Sequence, residues 1–165
     1  MQAPRHFDLL VIGYGNTLRG DDGVGPKVAE AMEELGLPGV QVLVCHQLSP
    51  EHAEPISQAR GVIFVDAAVD AAERIQLRRL EPNESPQLMA HAADPRTMLA
   101  LARDVFGHAP QAWWLTIPAK ELGFGTGLSP EAEAGYRAAI RQIRQLAEEF
   151  CATRDKECEG VAKIG

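Results

Sequence analysis

Runs of apolar residues separated by polar stretches divide the chain into alternating strands and helices. A continuous apolar run from Leu9 to Ile12, stopped by Gly13, is typical of a strand that is buried on both faces of a parallel sheet. Similar runs predict buried strands in VQVLV (residues 40–44), GVIFVDA (residues 61–67) and AWWLTI (residues 112–117). RIQLRRL (residues 74–80) alternates apolar and polar residues, which predicts a half-exposed edge strand.

Prolines mark the predicted helix starts. Proline is tolerated at the first helical position because the N–H there has no intrahelical partner. Four positions of this kind occur in the chain: Pro26, Pro50, Pro95 and Pro130. Three of these prolines follow a residue whose side-chain oxygen can cap the helix: Ser49, Asp94 and Ser129. The last helix is the clearest, because apolar residues recur at helical spacing from Tyr136 to Phe150.

The order of these elements predicts the fold class. Strands that alternate with helices in the first half of the chain favour parallel pairing through crossover helices. We therefore expect an α/β fold: a single-domain three-layer sandwich with a mostly parallel, five-stranded twisted sheet and helices on both faces. Residues 1–150 are expected to form this domain. Residues 151–165 are polar and lose periodicity, so they are expected to be a frayed C-terminal tail.

Charge and composition exclude several function classes. The 165 residues carry a formal net charge of -7, which repels nucleic-acid backbones and anionic membrane surfaces. No apolar run approaches the roughly 18 residues of a membrane span, and the first residues lack a signal-peptide pattern. These features favour a cytoplasmic protein with neither a nucleic acid nor a membrane as partner. Three cysteines without C-x-x-C spacing argue against a disulfide framework and a four-cysteine zinc site.

The loop after the first strand is the first place to look for chemistry, because such sheets bind ligands at the carboxyl ends of their strands. This loop, GYGNTLRGDDGVG (residues 13–25), is rich in glycine and contains Asp21 and Asp22 ahead of a helix. A dinucleotide-binding loop would need glycine in place of Leu18 and an acidic residue in place of residues 45–47. The alternative to a functional role is structural: the negative charges of the two aspartates stabilise the N-terminus of the helix that follows.

Asp66 and two histidines extend the set of candidate site residues. Asp66 follows the third strand in the middle of the sheet, where a buried carboxylate needs hydrogen bonds or a cation. The alternative to a functional role is that Asp66 is a structural residue that caps the next turn. His91 lies in a loop ahead of the third helix, and His46 follows Cys45 at the end of the second strand. Two carboxylates and an imidazole from separate loops suit one transition metal with open coordination positions.

Three stretches resemble the hydrogenase maturation endopeptidases, which trim the C-terminus of the large subunit of nickel-iron hydrogenases. These stretches are GYGNTLRGDDGVGPKVAEAM, VIFVDA and LTIPAKELGFGTGLSPEAEAG, in the family's order and over nearly the whole chain up to Phe150. In that family an acid in the first loop, an Asp after the third strand and a later His bind metal. By position, the resemblance implies Asp22, Asp66 and His91.

The resemblance also implies a mechanism in which the substrate brings its own nickel. The chain would then be an endopeptidase, grouped with the aspartic peptidases, that removes the C-terminal extension of the precursor after nickel insertion. No permanently bound cofactor is implied, although other divalent metals could occupy the site. Asp22 and Asp66 are the implied catalytic residues, and Gly123–Gly127 is either a substrate-guiding loop or a plain connection. Two alternatives stay open: a Rossmann-type nucleotide-binding enzyme and a non-catalytic nickel-binding maturation chaperone.

Overall fold

Five strands and four helices follow one another along the chain in a computed structural model that describes residues 7–69, 73–84 and 94–162. The strands are β1 (Phe7–Tyr14), β2 (Val40–Cys45), β3 (Ala59–Ala68), β4 (Gln76–Leu80) and β5 (Gln111–Pro118). The helices are α1 (Val24–Leu35), α2 (Ala53–Ser57), α3 (Pro95–Phe106) and α4 (Pro130–Ala162). Two short 3-10 helices, Gly20–Gly23 and Pro50–His52, precede α1 and α2.

The strands form one sheet in the order β2-β1-β3-β5-β4. The first four strands of this order run parallel, and β4 pairs antiparallel with β5 at the edge. One face of the sheet packs against α2 and α3, and the other packs against α1 and α4. The predicted α/β class, the mostly parallel five-stranded sheet and the edge position of the RIQLRRL strand are confirmed.

The helix starts agree with three of the four prolines. Pro95 and Pro130 are the first residues of α3 and α4, and Pro50 begins the 3-10 helix ahead of α2. Helix α1 instead begins at Val24, so that Pro26 is its third residue. This position also lacks an intrahelical partner for its N–H, so proline fits there equally well.

The end of the chain differs from its prediction. Helix α4 continues as far as Ala162, so the expected loss of regular structure after Phe150 is wrong for residues 151–162. This segment has no apolar stripe, but its Arg, Lys, Glu and Ala residues have high helix propensity. Arg154 also donates a hydrogen bond of 2.8 Å to the buried Asp8, which fastens the added turns to the start of β1.

The length and apolar character of the described helices decide whether they could span a membrane. A span needs about 20 consecutive, mostly apolar residues. None of the helices in the described ranges is both long enough and apolar enough to cross a membrane.

Candidate active site at the carboxyl end of the sheet

Close backbone packing brings the first loop to the end of β3. A Cβ on Gly25 would lie 2.5 Å from the carbonyl oxygen of Val65 and 2.7 Å from that of Tyr14. Only glycine therefore allows the first turn of α1 to rest directly on the ends of β1 and β3. Asp22 precedes Gly25 by three residues and Asp66 follows Val65, so this contact sets both aspartates at the same edge of the sheet.

The backbone around Asp22 is held by a second close approach. Gly15 has a φ of +147° and a Cβ there would lie 2.0 Å from the carbonyl oxygen of Asp22, which excludes other residues. The backbone N–H of Asn16 donates a 2.8 Å hydrogen bond to Oδ2 of Asp22. Asp22 is half-buried, with only this one hydrogen bond to its carboxylate among those found in the described residues. Its carboxylate thus keeps further lone pairs for a ligand.

Asp66 is half-buried and interacts with Tyr14, whose hydroxyl donates a hydrogen bond of 3.1 Å to Oδ2. The pKa of Asp66 is raised to about 6, mainly by burial and to a smaller extent by the negative charge of Asp22, while hydrogen bonds from Tyr14 and from the Ala67 backbone oppose the rise. Burial and the charge of Asp66 also raise the pKa of Tyr14, so the phenol stays protonated as a donor. The charge of Asp22 is the smallest of these contributions to the pKa of Asp66, which fits two carboxylates at the same end of the sheet.

Asp21 points away from this pair into a hydrogen-bond network. Its side chain is fully buried at 0% exposure. Both oxygens accept hydrogen bonds, and the donors are the backbone N–H groups of Lys120, Glu121 and Ser129 and the hydroxyl of Ser129, at 2.6 to 3.0 Å. Burial raises the pKa of Asp21, but these hydrogen bonds outweigh it and lower the pKa below its usual value. Asp21 is therefore a structural residue.

The network joins the first loop to the loop between β5 and α4. Beyond the Asp21 carboxylate, three backbone hydrogen bonds of 2.8 Å connect the two loops: Gly20 N to Gly125 O, Gly125 N to Leu18 O and Asp21 N to Glu121 O. The ammonium group of Lys27 also donates to the carbonyl oxygen of Thr126. We call residues 16–23 and 120–129 together the loop pair. Because both halves are fixed to each other, Gly123–Gly127 is an ordered segment beside the carboxylate site.

The histidines and Cys45 have different outcomes. His91 lies outside the described residues, so its placement as a metal ligand stays a prediction. His46 is exposed just beyond β2. Burial and the charge of Glu51 raise the pKa of the Cys45 thiol, which makes it a poor nucleophile. Within the described ranges, no group of three His, Cys, Asp or Glu side chains is placed to hold a metal ion.

Sequence reasoning missed Tyr14 and Ser129 as parts of this site. Tyr14, the last residue of β1, and Asp66, near the end of β3, lie on the same face of the sheet, in phase with Ile12 and Phe64. The period of two along each strand carries this signal, because β1 and β3 are neighbours and residues of like phase share a face. Ser129 had been recognised as a cap of α4, which it is, through a 3.2 Å hydrogen bond from the Ala132 N–H. Its second role, donating to Asp21, depends on tertiary contacts.

Solved structures with similar folds include several hydrogenase maturation proteases. HybD of Escherichia coli, a hydrogenase maturating endopeptidase, superposes with a TM-score of 0.69 and 24% identity over 87% of this chain and 93% of that one. HycI, a [NiFe] hydrogenase maturation protease of Thermococcus kodakarensis, gives a TM-score of 0.65 and 22% identity over 87% and 92%. The chain has the fold of the hydrogenase maturation endopeptidases. The resemblance that the sequence motifs indicated is thus confirmed.

Sequence comparison points to the same group of proteins. "Putative hydrogenase maturation protease MJ0253" of Methanocaldococcus jannaschii is 28% identical over 90 residues, which make up 53% of this chain and 58% of that protein. The match therefore spans less than two thirds of that relative's length. No family model matches the chain. The sequence relative and the solved structures named above are described as hydrogenase maturation proteases. This agreement supports a functional proposal that is based on the carboxylate pair.

Proposed function

We propose that this protein is an endopeptidase that removes the C-terminal extension of the large subunit of a nickel-iron hydrogenase after nickel has been inserted. The observation that carries the proposal is the pair Asp22 and Asp66, held at the carboxyl end of the sheet in a fold shared with hydrogenase maturation endopeptidases. The partner is the large-subunit precursor, and the setting that fits the sequence is the cytoplasm. The chain itself needs no permanently bound cofactor.

Nickel in the precursor would be recognised by the carboxylate pair. Oxygen donors on neighbouring strand ends can complete the coordination of a metal that already has ligands from another protein. Burial is the main cause that raises the pKa of Asp66, and the charge of Asp22 adds a smaller rise, so a cation beside the carboxylates would offset the desolvation of Asp66 and the charge of Asp22 together. A precursor without nickel offers no such gain, so binding energy would favour the nickel-loaded form.

His91 is the proposed third ligand. Asp94 is close enough to Tyr14 for its charge to raise the pKa of the phenol, so the start of α3 faces the same group that contacts Asp66. His91 lies three positions before Asp94 in the sequence, and an extended chain reaches about 10 Å over three positions. The chain connection therefore supports His91 as a ligand beside the carboxylates.

Hydrolysis of a peptide bond needs a group that takes a proton from the attacking water. The two carboxylates are the groups available for this step, which supports grouping the activity with the aspartic-type peptidases. Asp66 suits the role of base, because burial raises the pKa of its carboxyl group and makes the carboxylate more basic. Tyr14 would hold the Asp66 carboxylate in orientation through its hydrogen bond.

The test is cleavage of the precursor with and without nickel. Purified protein is incubated with nickel-loaded and with metal-free large-subunit precursor, and the C-terminal mass is followed by mass spectrometry. We expect loss of the extension only from the nickel-loaded precursor, and no effect of serine- or cysteine-protease inhibitors. Equal cleavage of both forms would contradict nickel recognition. Binding without cleavage would favour the chaperone, and tight binding of NAD(P) without either would favour the nucleotide-binding enzyme.

A further inference from the structure

The loop pair carries a fully exposed aromatic side chain. Phe124 is 93% exposed, the highest value among the exposed large hydrophobic residues of the described chain. Leu18, on the facing segment of the loop pair, is 53% exposed. The backbone N–H of Gly125 donates to the carbonyl oxygen of Leu18 at 2.8 Å, so the two apolar residues are carried by directly hydrogen-bonded segments. We call these two exposed apolar residues together the Phe124 knob.

The segment that carries the knob is fixed rather than loose. Gly125 both donates to and accepts from the first loop, and its φ of +150° is a conformation that glycine alone adopts readily. The Asp21 carboxylate holds the two ends of the same segment, at Lys120 and at Ser129. Exposure of Phe124 is therefore a feature of an ordered loop. A side chain ordered before binding loses less conformational entropy when it docks, which favours its use as an anchor.

The segment that carries the knob lies beside the first loop near Asp22, because the carbonyl oxygen of Gly125 accepts a hydrogen bond from the N–H of Gly20, two residues before Asp22. The N–H of Asp22 donates to the carbonyl oxygen of Arg19, the residue that follows Leu18. The segment with Phe124 is thus linked through the first loop to the backbone of Asp22. A macromolecule that presents a metal to Asp22 and Asp66 would meet the loop pair at the same edge of the sheet.

We propose that the Phe124 knob is the anchor through which the hydrogenase large-subunit precursor docks, inserting Phe124 and Leu18 into an apolar depression on the precursor's surface. This inference rests on the proposed function and adds the docking contact to it. Interfaces concentrate binding energy in a few aromatic anchors that become fully desolvated. The knob would hold the precursor while the carboxylates select for nickel, so it governs affinity and leaves the chemical step unchanged.

The test is steady-state cleavage of the nickel-loaded precursor by Phe124→Ala, Phe124→Leu and Leu18→Ala. We expect Phe124→Ala to raise KM by about tenfold or more with kcat within about twofold of the parent value. Phe124→Leu keeps an apolar side chain and should recover most of the affinity, and Leu18→Ala should have a smaller effect. Thermal unfolding should be unchanged in all three variants, because these side chains contribute little to the core.

Phe106 supplies a matched control. It is a phenylalanine that is 45% exposed, and it ends α3 near the start of β5, at the opposite edge of the sheet. Phe106→Ala should leave KM unchanged. An unchanged KM in Phe124→Ala, with active parent protein, would overturn the anchor and leave the proposed function standing. Absence of cleavage by the parent protein would overturn the proposed function and the anchor together. A change of oligomeric state in Phe124→Ala, without a change in KM, would identify a second copy as the occupant and overturn the proposal.

Discussion

Asp21 and Asp22 are neighbours in sequence, but their carboxylates face different surroundings. The Asp21 side chain is buried and accepts four hydrogen bonds from the loop that precedes α4. The Asp22 side chain is half-buried and accepts one from Asn16. The motif therefore combines a residue that holds the loops together with a residue that faces the site. The sequence-based preference for Asp22 over Asp21 as ligand agrees with this geometry.

Substitution of these two aspartates should separate stability from activity. Asp21→Asn replaces an acceptor oxygen by a donor that faces N–H and O–H groups, so we expect a loss of about 1–3 kcal/mol in the free energy of unfolding. Asp22→Asn should unfold like the parent protein but lose nickel affinity and cleavage by about tenfold or more. Urea unfolding and calorimetric nickel titration measure the two effects. An Asp21→Asn variant with normal stability and no nickel binding would contradict the assignment.

Asp66 should make the metal-free protein less stable as pH rises. Its pKa is about 6 in the folded chain, above the roughly 3.9 of an unfolded aspartate. The stabilising contribution of Asp66 to the free energy of unfolding is therefore fully present below about pH 3.9 and is lost as pH rises through 6. Asp66→Asn keeps an acceptor for Tyr14 and removes the buried charge. We expect this variant to be more stable than the parent by roughly 1–2 kcal/mol at pH 8, after allowance for solvent screening, and equal to it near pH 4.

The measurement is urea unfolding of both proteins at several pH values in the presence of a chelator. The same substitution should abolish cleavage, because the site loses a ligand and a base. Higher stability with lost activity is the pattern expected of a functional residue that is held in an unfavourable environment. Parallel pH profiles for the two proteins would show that Asp66 titrates normally.

His91 and His46 can be distinguished by the protons released when nickel binds. A neutral ring nitrogen binds metal, so a histidine ligand releases a proton on binding when the pH is below its pKa. Calorimetry at pH 6 in two buffers of different ionisation enthalpy counts these protons. We expect His91→Ala to lower nickel affinity by about tenfold or more and to release fewer protons, with His46→Ala unchanged. Loss of binding in His46→Ala alone would move the third ligand to the end of β2.

The elements could be predicted from the sequence because each depends on a local pattern. Apolar runs predict the buried strands β1, β3 and β5, and prolines with capping residues locate α3 and α4. The run in β2 also marks a strand, but its predicted burial is wrong, because β2 lies at the edge of the sheet and none of its residues is fully buried. The extension of α4 past Phe150 was missed, because its last turns bury no apolar stripe and depend on ion pairs with distant residues. Periodicity detects burial, so a helix stabilised by surface charges leaves no periodic signal.

The site could be predicted only in part. Asp22 and Asp66 were found because each follows a buried strand or precedes a helix in a recognised motif. The loop pair was not found, because the contact between Asp21 and Ser129 joins residues that lie 108 positions apart in the sequence. The glycines of the first loop could be identified as special, but their reason is tertiary: Gly25 touches the carbonyl oxygen of Val65. Glycine is found both in tight turns and where two backbone segments approach closely, so the sequence alone does not distinguish these two reasons.

The carboxyl edge of the sheet, where the parallel strands end, differs in its chemistry from the amino edge, where these strands begin. The carboxyl edge holds the interacting carboxylates of Asp22 and Asp66 together with the loop pair. At the amino edge, the buried Asp8 contacts Arg154 at 2.8 Å and Arg60 at 3.5 Å, which ties the starts of β1 and β3 to the last turns of α4. The opposite charges that are paired at the amino edge stabilise the fold. The like charges at the carboxyl edge oppose folding and suit a cation.

This difference predicts that Asp8 can be changed without loss of function. Asp8→Asn removes the buried carboxylate that pairs with both Arg60 and Arg154, at a site where Asp8 is only 6% exposed. We therefore expect a loss of about 1–3 kcal/mol in the free energy of unfolding. Cleavage of nickel-loaded precursor at a temperature where the variant is folded should stay within about twofold of the parent rate. Arg137→Ala removes an exposed ion pair within α4 and is the matched control, with an expected change below about 0.5 kcal/mol. A folded Asp8→Asn protein that no longer cleaves would show that the amino edge contributes to catalysis, and that the two edges are coupled through the sheet.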